Sequence, residues 1–206
     1  MFIRTESLND YLRRYQITLI ILLINTLVML FVWFCLNGIE NPYVVYQLGG
    51  LINENVLGGD YWRLLTYAFL HFGIYHYLFN MLFLMVLGPP LEIILGKIKF
   101  IVFIFISIIC TSILVIIVSE QPGVGASGIV FAIMGYFIFL AGRKDKSLSS
   151  FDSKLIIQVT LFSWIGTIIF SVVTEQMVTV SGHLGGFISG IILSFFRTTF
   201  KQNNLV

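Results

Sequence analysis

Residues 17–36, 100–118 and 155–173 are three runs of about twenty residues without a charged side chain. A helix rising about 1.5 Å per residue needs roughly 20 such residues to cross a hydrocarbon core of about 30 Å. Residues 64–87 form a fourth apolar run that carries two histidines and an asparagine, and 127–141 and 182–196 are shorter runs of 15 residues each. The 206-residue chain is 58% hydrophobic and only 11% charged, against roughly 25% charge in soluble domains. A soluble fold of this size would leave large apolar patches in water, and disorder needs the opposite composition. The chain is expected to fold in a bilayer.

The placement of charge gives the topology. With six spans and a cytoplasmic N-terminus, the inner segments hold Arg4, Arg13, Arg14, Lys97, Lys99, Arg143, Lys144, Lys146, Lys154, Arg197 and Lys201, eleven of the twelve basic residues. Arg63 alone falls outside, with Glu40, Glu54, Asp60, Glu120 and Glu175. Cytoplasmic loops are enriched in Lys and Arg, so this split orients the chain, and deleting either short span destroys it. The expected fold is an all-α polytopic membrane protein of six spans with both termini cytoplasmic. Residues 1–16 form a short N-terminal segment, 17–197 the membrane domain and 198–206 a tail. Residues 37–63 are the longest external connection, with Pro42, Tyr43, Tyr46, Tyr61 and Trp62 suited to the membrane interface. The first apolar run is too long for a cleavable signal, and no internal repeat of the inverted-transporter kind is visible. A membrane core without a targeting segment or extra domain points to a bacterial plasma membrane. The net charge of +2 argues against a nucleic-acid partner. Cys35 and Cys110 sit in apolar runs and offer neither metal spacing nor a disulfide framework.

The two short spans carry the chemistry. Fifteen helical residues cover about 22 Å, so a short helix that reaches the cytoplasmic side must start below the outer surface. Ser127 opens the fourth span and His183 lies one residue into the sixth, which sets a nucleophile and a base at matching depth. Gly182, Gly186 and Gly190 repeat every four residues along the sixth span, and Gly128 and Ala132 do so on the fourth. By itself such a stripe is ordinary helix packing; beside Ser127 and His183 it would also bring imidazole to hydroxyl. The stretch 121–128, with Gly123, Gly125 and Gly128, leads into the fourth helix, whose free N–H groups suit an oxyanion.

All three histidines, His71, His76 and His183, fall within or at the mouth of spans, where ionisable groups are costly and usually functional. His76 and Asn80 are four residues apart and share a helix face. No Asp or Glu in the fourth or sixth span orients His183, so the arrangement is a Ser–His dyad and not a triad. His76, Asn80 and the Ser127 N–H are candidate oxyanion donors. A His/His/Asn metal site is the rival; it lacks a third strong ligand unless His183 joins and has no nearby carboxylate, and no metal or other cofactor is expected.

In this order and on six spans, Trp62-Arg63, the stretch from His71 through His76 to Asn80, Leu87-Gly88 with Glu92, Gly125 to Gly128, and Gly182-His183 followed by Gly186 and Gly190 resemble the rhomboid family of intramembrane serine proteases. The resemblance covers essentially the whole chain from first span to sixth. It implies a six-helix rhomboid-like bundle with Ser127 as nucleophile, His183 as general base, and His76 and Asn80 lining the oxyanion hole. It implies that His71 is structural or organises water, and that Trp62 and Arg63 shape a first loop bracing the fold. Substrates would be single-span membrane proteins entering past the fifth span and the loop at 175–180. Family members often carry a tyrosine one turn after the serine, stacked on the histidine; here that residue is Phe131, which keeps the ring and loses the hydroxyl. A non-catalytic rhomboid-like protein that binds membrane clients is the alternative, although such relatives typically lack the serine or the histidine. A small transporter using the histidines as a proton relay is disfavoured by the lack of acidic residues within the spans.

Overall fold

A computed structural model describes the backbone of residues 1–3, 5–38 and 41–203, with side chains through residue 196. Arg4 and Glu40, both used in the charge partition, lie outside the described residues, as do the side chains of Arg197, Lys201 and the rest of the tail at 198–206, and the backbone of 204–206. The order of elements is α1 (Leu8–Arg14), α2 (Gln16–Phe34), α3 (Pro42–Gly49), α4 (Asn53–Leu57), α5 (Arg63–Thr66), a 3₁₀ turn (Tyr67–Phe69), α6 (Ile74–Leu95), α7 (Lys97–Val118), α8 (Ser127–Gly142), α9 (Ser150–Thr174) and α10 (Met177–Asn203). The chain is an all-α polytopic membrane protein. Five helices (α2, α6, α7, α9 and the Met177–Phe196 part of α10) are long and apolar enough to cross a bilayer, and α8 is a shorter apolar helix of 16 residues.

Three differences from the sequence expectation bear on the site. The run 64–87 is not one helix: Arg63–Thr66 and Tyr67–Phe69 are short turns, and the long helix begins only at Ile74. Gly73, at φ 77°, breaks the run. The same helix continues through Pro89 and Pro90 to Leu95. Proline removes the N–H that would bond the carbonyl four residues back, and the Met85 carbonyl freed by Pro89 instead accepts from the Tyr11 hydroxyl at 3.1 Å. The third difference concerns the sixth span, which starts at Met177 and not at Gly182. Thr179 and Ser181 interrupt the apolar count but not the helix, because the Ser181 hydroxyl satisfies itself on the Val178 carbonyl at 3.0 Å. His183 is therefore in the second turn of a long helix, and short length fixes only the start of α8. The connection expected at 175–180 shrinks to Glu175 and Gln176, with Glu175 in the left-handed conformation at φ 58°.

At the centre stands α8, with 11 of its 16 residues buried. It touches α6, α7, α9 and α10. Its contact with α10 is backbone on backbone: a Cβ added at Gly186 would overlap the Gly128 carbonyl, one at Gly190 the Ala132 carbonyl, and one at Gly135 the Phe187 carbonyl. Without a hydrophobic drive between helices in lipid, such close approach is what holds them together. Gly182 differs, since its added Cβ would meet Val115 at an ordinary 3.7 Å. At Gly185, which the stripe at every fourth residue passes over, an added Cβ would lie 3.0 Å from Thr111 Cα of α7.

Polar clamps fix the periphery. The buried Glu92 carboxylate accepts from the Ile17 and Thr18 N–H groups, both at 2.9 Å, and from the Thr18 hydroxyl at 2.7 Å. It thereby satisfies the open N-terminus of α2, where a negative charge is favoured. Arg63 is buried, with Nη1 donating to the Tyr46 and Gly50 carbonyls at 2.8 and 2.9 Å and Nε donating to Asp60 at 3.0 Å. Its guanidinium lies 4.6 Å from the Trp62 ring centre. Residues 41–63 are in this way pinned as a unit.

Candidate active site

Ser127 is the first residue of α8, and its helix has no side-chain cap. The segment before it is anchored from four sides. Leu51 and Gly123 exchange two backbone bonds of 2.9 Å, Gly125 N–H donates to the Tyr67 carbonyl at 2.9 Å, and Ala126 N–H reaches His71 Nε2 at 3.5 Å. Gln121 donates to the Glu175 carbonyl at 2.9 Å and accepts from Val178 N–H at 3.1 Å, which ties the segment to the α9–α10 connection. Gly125 has φ 124°, and a Cβ there would lie 2.7 Å from both Cε1 and Nε2 of His76 and 3.8 Å from Ser127 Oγ. Only glycine fits, and its bare Cα leaves His76 and Ser127 facing one another.

His183 is held by side chains of α8 and α9. Phe131 lies one turn below Ser127 on α8, so the two share a face. The Phe131 ring stacks on the imidazole at 3.9 Å between centres and 13° between planes. Trp164 of α9 meets the Phe131 ring edge-on at 5.1 Å between centres. The Gly128–Gly186 backbone contact lies one residue after Ser127 and three after His183. His183 Nδ1 is 2.8 Å from the hydroxyl of Thr167, which also donates to the Ser163 carbonyl at 2.8 Å. Neither Thr167 nor Trp164 was identified from sequence. Thr167 is one hydroxyl among several on an apolar helix, and only the α9–α10 pairing shows which one meets the histidine.

The remaining polar residues lie on α6 and just before it. His76 is half-buried, like Ser127 and His183, whereas His71 and Asn80 are buried. The rings of His71 and His76 meet edge-on at 5.1 Å, and Tyr77 packs on His71 at 5.6 Å. The Asn80 amide donates to the His76 carbonyl one turn back at 2.8 Å, leaving one of its two N–H bonds for other use. Among the described residues no group of three or more His, Cys, Asp or Glu side chains is arranged to hold a metal ion. The structure thus gathers Ser127, His76, His71, Gly125 and Gly128 at the head of α8 with His183 and Phe131 beside them. Trp62 and Arg63 belong to the brace at 41–63.

Comparison with known proteins agrees with this architecture. The profile of the Rhomboid domain matches residues 58–200. The chain is 30% identical over 207 residues to the Bacillus subtilis (strain 168) protein named "Putative rhomboid protease YdcA", covering 98% of each. It is 29% identical to Rhomboid protease GluP of the same organism over 155 residues, 75% of this chain and 29% of GluP. It is 33% identical to Rhomboid protease GlpG of Salmonella paratyphi A (strain ATCC 9150 / SARB42) over 145 residues, 70% of this chain and 51% of GlpG. With a family profile over most of its length and a relative aligned from end to end, the chain belongs to the rhomboid family of membrane-embedded serine-type endopeptidases.

Proposed function

We propose that the protein cleaves single-span membrane proteins near the outer face of a bacterial plasma membrane by a Ser127–His183 dyad, across six spans with both termini cytoplasmic. The observation that carries this is the flat stack of Phe131 on His183, one turn below Ser127, beside a backbone-to-backbone contact of α8 and α10. Ser127 Oγ bonds to the scissile carbonyl carbon as its proton passes to His183. The oxyanion is received by the Ser127 N–H, which has no partner within α8, and by His76 and Asn80. Collapse breaks the C–N bond, and the leaving amine takes the proton from His183. Water then attacks the acyl carbon, gives its proton to His183, and Ser127 leaves reprotonated. His71 Nδ1 is buried without a protein partner among the described residues, which supports a role for this residue in holding that water.

The test is labelling of the purified protein with a fluorophosphonate, the adduct located by mass spectrometry. An adduct on Ser127 that is lost in His183→Ala is expected. No adduct in folded protein would refute the dyad and favour a client-binding relative without activity.

A further inference from the structure

We infer that Thr167 of α9 is the positioning residue of His183, selecting the one ring orientation and tautomer in which Nε2 can accept a proton from Ser127. The inference rests on the dyad assignment above. Thr167 is buried, with 5% of its surface exposed, and its Oγ1 lies 2.8 Å from the Ser163 carbonyl oxygen and 2.8 Å from His183 Nδ1. A hydroxyl has one proton to donate, and a carbonyl can only accept. The proton therefore goes to Ser163, and the Thr167 oxygen must accept from Nδ1–H. A neutral imidazole carries one N–H, so Nε2 is left with its lone pair.

The stack on Phe131 cannot make this choice. It fixes the ring plane at 3.9 Å, but a half-turn about the Cβ–Cγ bond returns the ring to that plane, stacks equally well and carries Nδ1 away. In Ser–His–Asp enzymes a carboxylate performs the selection, and among the described residues no carboxylate bonds to His183. A neutral hydroxyl sets the same tautomer through one ordinary hydrogen bond. Its loss should cost about ten-fold, far less than the roughly 10⁴-fold lost with the aspartate of a triad.

The experiment is the rate of fluorophosphonate labelling of Ser127, resolved into binding and maximal inactivation rate, in wild type, Thr167→Val and Thr167→Ser. The isosteric valine should lower the maximal rate about ten-fold with binding within about two-fold, and serine should restore it. Melting temperatures of the three proteins separate this from a packing defect, which serine would not cure. In unaltered protein carrying ¹⁵N-histidine, the signal lost in His183→Asn should report a protonated Nδ1 and a bare Nε2. A bare Nδ1 overturns the inference. Wild-type labelling in Thr167→Val overturns it while leaving the dyad standing; absence of any Ser127 adduct in wild type overturns both.

Discussion

A single methyl group at Gly186 should separate the helices that carry the proposed dyad. Built on the native backbone, the new Cβ would overlap the Gly128 carbonyl oxygen and lie 2.9 Å from its carbon and 3.0 Å from Gly128 Cα. Carbon atoms in contact prefer about 3.5–4.0 Å. No flexible side chain is there to yield, so α8 and α10 must part by roughly 1 Å. Overpacking of this kind costs about 1–3 kcal/mol, and for a chain of this length each kcal/mol lowers the melting temperature by about 2–4 °C. The effect on catalysis should be larger, because a displacement of about 1 Å between reacting groups costs on the order of 10²-fold in rate. Gly182→Ala is the matched control: same helix, same substitution, but its Cβ would rest 3.7 Å from Val115. Melting in detergent and cleavage of a fluorescent transmembrane peptide should be near normal in Gly182→Ala and both impaired in Gly186→Ala. Unchanged melting and turnover in Gly186→Ala, or equal damage from both, would refute the packing account.

Two further outcomes are expected. Glu92→Gln keeps one acceptor oxygen at the head of α2 but loses the charge that takes bonds from Ile17 and Thr18. Hydrogen bonds to a charged group contribute about 1.5–3 kcal/mol each, so thermal unfolding should show a loss of at least one such increment. Asp60 is held below the usual carboxylate range, first by its hydrogen bond from Arg63 and then by that from Asn55. Because its folded value is depressed, its contribution is fully present above the unfolded value of about 4 and is lost as pH falls through the folded one. Melting temperature followed from pH 7 to pH 3 should therefore fall more steeply in wild type than in Asp60→Asn, and parallel curves would refute the assignment.

The membrane fold was legible because bilayer crossing leaves a long-range signature in composition. The helix ends were not, because they are decided by backbone satisfaction that hydropathy does not register. Pro89 and Pro90 look like a stop, yet α6 passes through them with Tyr11 serving the freed Met85 carbonyl. Thr179 and Ser181 look like loop, yet α10 starts before them. Ser127, His183, His76 and Asn80 stood out as rare polar groups at depth. Thr167 did not, since a hydroxyl that bonds its own helix is unremarkable until its second partner is known. The glycines at 182, 186 and 190 were indistinguishable by spacing; only the path of α8 separates the two that touch its backbone from the one that does not.

The buried position of α8 separates two lengths that are usually one. A helix of 16 residues spans about 24 Å, several Å less than a typical hydrocarbon core, and facing lipid it would force the bilayer to thin around it. Here it is ringed by α6, α7, α9 and α10, which have 22, 22, 25 and 27 residues. The helices around it are long and apolar enough to cross a bilayer, while the short helix inside packs against protein. A bilayer matched to the outer helices need not thin around α8, so the depth of Ser127 is expected to follow from where α8 begins and not from the membrane around it.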